Sequence, residues 1–215
     1  MSTVVAIDGP AGAGKSTVAK LLAEKMSFTY VNTGNLYRAV AWSLKQAGLS
    51  VDEVTPDFLS AISLEYKDGV LLVNGKDPGS ELRTADIATG ASCVSKKDFV
   101  RAYLLPVQRD AAEKGWIVME GRDIGTVIFP DACCKFFLTA DLEARAKRRL
   151  AQQGEVANNA TLEDVIRDIA SRDEQDSKRE HAPLKAAEDA VWIDSGNMTP
   201  DEVVEEMKRV ILERM

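Results

Sequence analysis

A glycine-rich segment near the amino terminus has the residue types and spacing of a phosphate-binding loop. The pattern G-x-x-x-x-G-K-[ST] is satisfied from Gly9 to Ser16. Glycines allow backbone N–H groups to converge on a phosphate, and a helix start adds its positive end. The lysine can bridge the β- and γ-phosphates of a nucleoside triphosphate, and the serine hydroxyl can bind Mg²⁺. The predicted triphosphate-binding residues are Gly9, Pro10, Ala11, Gly12, Ala13, Gly14, Lys15, Ser16 and Thr17.

Three further segments carry arginines suited to a second phosphate. Arg38 follows a predicted strand, Arg122 and Asp123 follow another, and the third segment carries Arg172, Asp176 and Arg179. The spacing i, i+4, i+7 predicts that the last three share one helix face. Phosphoryl transfer must neutralise charge on the transferred group, and an acceptor that is itself a phosphate increases that need.

Two more arginines lie on a strongly basic helix predicted over 142–152. Arg145 and Arg149 stand four residues apart, so they share a face. We predict that both point towards the donor phosphates.

Hydrophobic patterning indicates the elements that position these residues. Short apolar runs alternate with amphipathic stretches, which is typical of a parallel sheet covered by helices on both faces. The fold class is therefore α/β in three layers. The predicted strands are 4–8, 28–31, 116–119, 135–138 and 191–193, and the predicted helices are 16–26, 36–46, 84–95, 98–113, 142–152, 161–183 and 200–214.

A β-rich insert, roughly 60–83, interrupts this alternation. Strand-like runs at 63–66 and 70–73 flank residues 67–69, and Asn74-Gly75 is typical of a tight hairpin turn. We predict one P-loop domain over 1–215, with an acceptor-binding lobe near 33–113 containing a small antiparallel element. A short helical lid is predicted near 152–182, including a polar loop at 154–160. The core comprises about 1–32, 114–151 and 183–215.

Composition narrows the functional classes. The 215 residues carry a net charge of −7 with a single histidine, which argues against nucleic-acid binding and against histidine-dependent nucleophilic catalysis. No apolar run approaches the ~20 residues that cross a membrane. A strand predicted at the amino terminus leaves no room for a signal peptide, and the three cysteines fit a reducing compartment. We therefore expect a cytoplasmic protein, and the absence of a coiled-coil pattern favours a monomer.

Several classes of P-loop protein fit poorly. A GTPase would carry N-K-x-D, whereas Asn74-Gly75-Lys76-Asp77 has the wrong order. A translocating ATPase would be larger, and a dinucleotide-binding fold would have a further glycine at Thr17. A small kinase remains the best fit. A kinase for another small metabolite and a non-enzymatic ATP-binding regulator stay open as alternatives.

Five segments in order along the chain resemble the bacterial cytidylate kinase family. They are the loop at 9–17, Thr33-Gly34-Asn35-Leu36-Tyr37-Arg38, Glu81-Leu82-Arg83-Thr84, Glu120 to Asp131, and the Arg-Asp-x-x-Asp-x-x-Arg run at 172–179. The resemblance implies a P-loop kinase in pyrimidine nucleotide metabolism that uses ATP with Mg²⁺ to phosphorylate CMP or dCMP.

The resemblance also implies roles for individual residues. Lys15, Arg122, Arg172 and Arg179 would be catalytic, and Arg38, Arg122 and Arg179 would hold the acceptor phosphate. Cytosine would be read by Ser92, Arg101 and Asp123, and the ribose would be held by Arg172 and Asp176. Thr33 would line the acceptor pocket with its hydroxyl where a serine is expected.

The sequence departs from the family pattern at four positions. Glu120 replaces a common aspartate, Thr33 replaces serine, Pro78 interrupts the insert, and Gln175 stands where a lid arginine can occur. None of these changes removes a residue in a predicted catalytic role.

Overall fold

The structure is a computed structural model that describes residues 2–67, 69–113, 115–152, 156 and 159–215. The strands are β1 Val4–Asp8, β2 Thr29–Asn32, β3 Leu64–Lys67, β4 Val70–Val73, β5 Ile117–Gly121, β6 Cys134–Thr139 and β7 Val191–Asp194. Five of them form a central parallel sheet in the order β2-β5-β1-β6-β7. The helices are α1 Lys15–Met26, α2 Thr33–Gln46, α3 Pro56–Ser60, α4 Ala85–Val94, α5 Asp98–Asp110, α6 Leu142–Leu150, α7 Leu162–Ser177 and α8 Pro200–Arg214.

The alternation of side chains along β1 explains the three layers. Val5 and Ile7 point to one face of the sheet, where they pack with residues of α1 and α8. Val4 and Ala6 point to the other face, where they pack with a π-helical turn, Ile124–Ile128. Because both faces are covered, all five residues of β1 and of β5 are buried. The predicted three-layer α/β fold is confirmed.

A separate apolar cluster supports the acceptor side of the molecule. Its buried members lie between Leu36 and Leu104, and they include residues of β3 and β4. These two strands pair antiparallel, as predicted. The boundaries proposed for the lobe and lid stay predictions, and residues 154, 155, 157 and 158 of the predicted polar loop lie outside the described residues.

The insert is less β-rich than its sequence suggests. Asn74 and Gly75 both have positive φ and form the predicted tight turn, but only a single bridge, Val73 to Lys76, follows it. A 3-10 helix, Gly79–Arg83, then replaces any further strand. Pro78 precedes this helix, and proline supplies no N–H for a strand ladder. The expectation of β structure through residue 83 is therefore wrong after residue 76.

Two helix boundaries differ from the predictions in ways that affect the site. Helix α2 begins at Thr33, three residues early, because the Asn32 side chain accepts a hydrogen bond from Asn35 N–H and caps it. Helix α7 begins with the predicted Thr161–Asp164 capping pair but ends at Ser177. Arg179 therefore lies beyond the helix, and the predicted shared face is wrong for this residue. In the described part of the chain, no helix is long and apolar enough to span a bilayer.

Candidate active site

The glycine-rich loop joins β1 to α1 and forms one wall of a cleft of about 800 Å³. Gly9, Gly12 and Gly14 all have positive φ, and Gly14 is the N-cap of α1. A Cβ on Gly9 would lie 2.0 Å from the Leu138 carbonyl oxygen, so no larger residue fits there. The predicted loop residues that line the cleft are Ala11, Gly12, Gly14, Lys15, Ser16 and Thr17, whereas Gly9, Pro10 and Ala13 lie behind them.

The ammonium group of Lys15 folds back across the loop. Its Nζ donates a hydrogen bond to the Pro10 carbonyl at 2.7 Å. Burial, and then the charge of Arg122, lower the pKa of Lys15 well below its usual value, although Glu120 and Asp8 oppose the shift. A phosphate would replace the missing negative charge beside this buried cation.

A buried carboxylate organises the opposite wall of the cleft. Asp176, 1% exposed, accepts a 2.9 Å hydrogen bond from Arg122 Nε and forms an ion pair with Arg179. Burial alone would raise the pKa of Asp176, but the charges of Arg122, Arg179 and Arg172 outweigh it and hold the pKa below its usual range. One carboxylate from α7 thus fixes the guanidinium groups of two predicted catalytic arginines.

Two guanidinium nitrogens in this wall have unmet hydrogen-bonding capacity. The buried Nε atoms of Arg172 and Arg179 have no hydrogen-bond partner among the described residues. Burial and the nearby charge of Arg122 lower the pKa of Arg172 to about 9. Buried donors are nearly always paired in folded proteins, so these two Nε atoms are candidate donors to a ligand.

A second pair lies deeper on the acceptor side. Arg101 and Asp123 form a buried ion pair, and the Arg101 guanidinium lies 5.7 Å from the centre of the Tyr37 ring. Burial raises the pKa of Asp123, and Arg101 opposes this shift. Ser92, the third predicted base reader, does not line the cleft, whereas Ser95 does. The Ser95 hydroxyl donates to the Ser92 carbonyl, so Ser92 contributes its backbone here.

The remaining acceptor-side predictions, Arg38 and Thr33, concern residues that make hydrogen bonds to backbone carbonyls. Arg38 donates to the Leu82 carbonyl at 2.9 Å, and Thr33 donates to the Glu120 carbonyl at 2.8 Å. A Cβ on Gly121 would lie 2.7 Å from the Thr33 hydroxyl oxygen, which explains why glycine precedes Arg122. Both predicted residues line the cleft.

The two arginines of α6 occupy different places. Arg149 lines the cleft, as expected. Arg145 is buried behind the loop, where it donates to the carbonyls of Ala140 and Ala11 at 3.0 Å and pairs with Asp173. Because its guanidinium is held by these three groups, the prediction that Arg145 faces the donor phosphates is not matched by this geometry.

The sequence analysis assigned no role to two carboxylates that the structure brings to the site. Asp8 accepts from the N–H groups of Ile124 and Gly125, both at 2.8 Å. Burial raises the pKa of Asp8 to about 6, against the effect of these two hydrogen bonds. Glu120 accepts from Tyr30 and Asn32. Each carboxylate stands at the carboxyl end of a central strand, and this position is the signal that could have revealed it.

The residues present fit a magnesium ion carried in with a nucleotide. No group of three or more metal-ligating side chains of the His, Cys, Asp or Glu type occurs among the described residues. Mg²⁺ bound with phosphates needs only one or two protein ligands, since phosphate oxygens and water complete its shell. The exposed Ser16 side chain in the cleft wall is of the required kind.

A phosphate-binding loop faces a wall of paired and partly unpaired guanidinium groups across one cleft. Together with a parallel sheet that is covered on both faces, this arrangement defines a small P-loop kinase whose second ligand is also an anion. The fold resembles that of shikimate kinase from Bacteroides thetaiotaomicron, with a TM-score of 0.51, 13% identity, and coverage of 97% of this chain and 98% of that chain.

Sequence relatives identify the family. The family model described as cytidylate kinase matches residues 5–213. The cytidylate kinase of Thermotoga neapolitana is 46% identical, over 100% of this chain and 99% of its own length. That of Geobacter sp. is 45% identical, over 99% of this chain and 94% of its own length. The chain belongs to the cytidylate kinase family.

Proposed function

We propose that the protein transfers the terminal phosphate of ATP to CMP or dCMP, giving ADP and CDP or dCDP. The observation that carries the proposal is that Arg122, Arg172 and Arg179 line the same cleft as the phosphate-binding loop, with Arg122 and Arg172 close enough for their charges to act on Lys15. Two of these arginines have a buried Nε without a partner in the described part of the chain. A second phosphate beside the first would satisfy them and would stand in line for transfer.

On the donor side, the loop amides and Lys15 would bind the triphosphate. Lys15 would exchange the Pro10 carbonyl for phosphate oxygens, because a charge-assisted hydrogen bond to an anion is stronger than one to a carbonyl. Thr17 would contact the α-phosphate and Arg149 the phosphate chain. Ser16 would hold Mg²⁺, which when bound neutralises charge on the phosphates.

On the acceptor side, Arg38, Arg122 and Arg179 would hold the phosphate of the monophosphate. Arg172 and Asp176 would bind the ribose, and Arg172 would also approach the transferred group. No covalent intermediate is required, because positioning and charge neutralisation account for phosphoryl transfer. Closure of the lid proposed near 152–182 would exclude water and prevent ATP hydrolysis.

The base would be read by Asp123 and Arg101, whereas Ser92 lies outside the cleft lining and accepts from the Ser95 hydroxyl. Asp123 can accept from the 4-amino group of cytosine, while arginine can donate to the ring carbonyl and N3. In the structure Asp123 is paired with Arg101, so the base would insert beside a preformed pair. We further propose that the protein acts as a cytoplasmic monomer that does not bind nucleic acid.

The test is ADP release measured by a coupled assay with ATP, Mg²⁺ and each of AMP, CMP, UMP, GMP and shikimate. We expect CMP to give the highest kcat/KM, with dCMP measured beside it. A protein that binds ATP but turns over none of these acceptors would be a regulator, and preference for another acceptor would overturn the cytidylate assignment.

A further inference from the structure

Asp173 connects the acceptor-side helix to the donor loop. It lies on α7 directly after Arg172. Its Oδ1 accepts a hydrogen bond from the backbone N–H of Ala11 at 3.2 Å, and its Oδ2 pairs with Arg145. The two ends of this contact are 162 residues apart in sequence, so one side chain joins the phosphate-binding loop to a distant element.

Arg145 contacts both Ala11 and Asp173. Its guanidinium donates to the Ala11 carbonyl at 3.0 Å while it pairs with Asp173. Both polar groups of the Ala11 peptide backbone are thereby held by side chains. We use the name Ala11 junction for Ala11, Arg145 and Asp173.

The surroundings of the Ala11 junction leave little freedom for independent movement. A Cβ on Gly12 would lie 2.8 Å from the Arg145 carbonyl oxygen, so α6 is packed against the loop backbone. Ala11 also belongs to an apolar cluster with Ala146, Val165 and Ile169, which come from α6 and α7. A shift of the loop therefore requires a shift of both helices.

Residues on either side of the junction reach the two ligand sites. Ala11 lines the donor wall, whereas Arg172 and Asp176, on the same helix as Asp173, line the acceptor wall. We propose that Asp173 is a positioning residue that couples the two substrates, so that a triphosphate on the loop aligns Arg172 and Asp176 for the acceptor. The inference rests on the proposed function and adds to it a mechanism for substrate synergy.

Glu174 offers a matched control on the neighbouring position. It pairs with Lys178, the residue that follows the end of α7, and both side chains are mostly exposed. Glu174→Gln removes one negative charge from α7, as Asp173→Asn does, but leaves the Ala11 junction intact. A helix-docking role without coupling would lower stability and would change both substrate affinities regardless of the other ligand.

The experiment is calorimetric titration of CMP into each protein, with and without a saturating non-hydrolysable ATP analogue and Mg²⁺. The ratio of the two CMP dissociation constants is the coupling factor. We expect CMP to bind more tightly with the analogue in the wild type and in Glu174→Gln. Asp173→Asn should reduce the coupling factor about five-fold or more, the lower range of measured couplings, with little change in CMP affinity when the analogue is absent.

Arg145→Lys provides a second variant should Asp173→Asn fail to fold. Lysine keeps the charge but lacks the planar group that reaches two carbonyls and a carboxylate together, so the same loss of coupling is expected. A wild type without coupling, or a junction variant with the coupling factor of Glu174→Gln, overturns the inference. Failure of the proposed function would appear separately, as a wild type that releases no ADP with CMP.

Discussion

The donor wall of the cleft is one continuous segment, whereas the acceptor wall is assembled from separate parts of the chain. Ala11, Gly12 and residues 14–17 form most of the first wall, largely with backbone groups and the start of α1. The second wall draws on α2, α5, the segment after β5, and α7 with the residues that follow it. Its charged side chains already pair with one another, as Arg101 does with Asp123.

The two walls represent two ways of forming a phosphate-binding site. Backbone amides at a helix start are fixed by the fold and lose nothing when a phosphate arrives. Paired side chains must exchange partners, so binding to the acceptor wall costs part of the existing ion-pair energy. We therefore expect changes on the donor wall to affect all turnover, and changes on the acceptor wall to alter selectivity and acceptor affinity.

The largest effect should come from Lys15→Ala on the donor wall. No other described ammonium group lies in the loop, so kcat should fall at least about 100-fold while the fold is retained. Lys25→Ala on the same helix is the control, because Lys25 pairs with Asp201 and Glu205 at the surface. A folded Lys15→Ala protein with near-normal kcat would contradict the assignment of the loop.

Arg122→Ala should impair the use of CMP much more than the binding of ATP. Removing a charge-assisted contact costs about 1.5–3 kcal/mol, or roughly 10- to 150-fold in CMP use, and ATP affinity should change far less. The buried carboxylate of Asp176 would also lose one partner. Arg167→Ala, which affects an exposed pair with Asp164, serves as the control. Equal losses for ATP and CMP would place Arg122 between the two sites.

Asp123→Asn should change selectivity more than rate. A carboxylate accepts from the cytosine amino group but repels a uracil carbonyl, whereas an amide can present either a donor or an acceptor. A group built to hydrogen-bond discriminates strongly, so the CMP/UMP ratio of kcat/KM should fall by about ten-fold or more. Asp131→Asn, at an exposed position nearby, should keep the ratio. An unchanged ratio in Asp123→Asn would show that Asp123 does not read the base.

The smallest effect should appear in the pH profile, through Asp8. Its carboxylate accepts from the N–H groups of Ile124 and Gly125, and protonation at a pKa of about 6 turns one of the two oxygens into a weaker acceptor. The segment after β5, which carries Arg122 and Asp123, should loosen. We expect kcat/KM for CMP to decrease a few-fold as pH falls through about 6, with Asp123 and Lys15 as the neighbouring charges that modulate the step.

Protonation of Asp8 should lower activity but raise the stability of the folded state, so the loss of activity at low pH is not caused by unfolding. Because the pKa of Asp8 is raised from 3.8 to about 6 on folding, the folded state binds the proton more tightly, and this group adds stability as pH falls through that range. Asp8→Asn should have lower activity at neutral pH and should lack this step. Asp86→Asn, at the surface, should retain it. A step of the same size in Asp8→Asn would assign it to another group.

The same contrast explains what could be predicted from the sequence. The donor loop is a local pattern, and the strand and helix beside it follow from apolar periodicity, so its placement required no tertiary information. The arginines of the acceptor wall could be proposed from their types and positions, but the base readers came only through family resemblance. Their pairings could not be predicted, because Arg101 and Asp123 meet across 22 residues and Arg122 and Asp176 across 54. Apolar periodicity does not reveal contacts between residues that are far apart in the sequence.

The misplaced residues have particular physical causes. Arg145 and Arg149 share a helix face, yet the Ala11 carbonyl and Asp173 draw only Arg145 behind the loop. Arg179 seemed to lie in α7 because charged residues continue past Ser177, but the helix ends there. Asp8 was treated only as the end of a strand, since its partners are backbone N–H groups that no sequence pattern displays.

The unpartnered Nε atoms of Arg172 and Arg179 have a consequence for handling the protein. These two buried donors lie close to the charge of Arg122, which Asp176 only partly balances, so simple oxyanions such as sulfate should bind here and stabilise the protein. An anion at 100 times its dissociation constant adds about 2.7 kcal/mol to stability by mass action. A melting temperature that rises with sulfate more than with chloride at equal ionic strength, and slower digestion by proteases, would follow. The measured stability of the protein would therefore depend on the anion in the purification buffer.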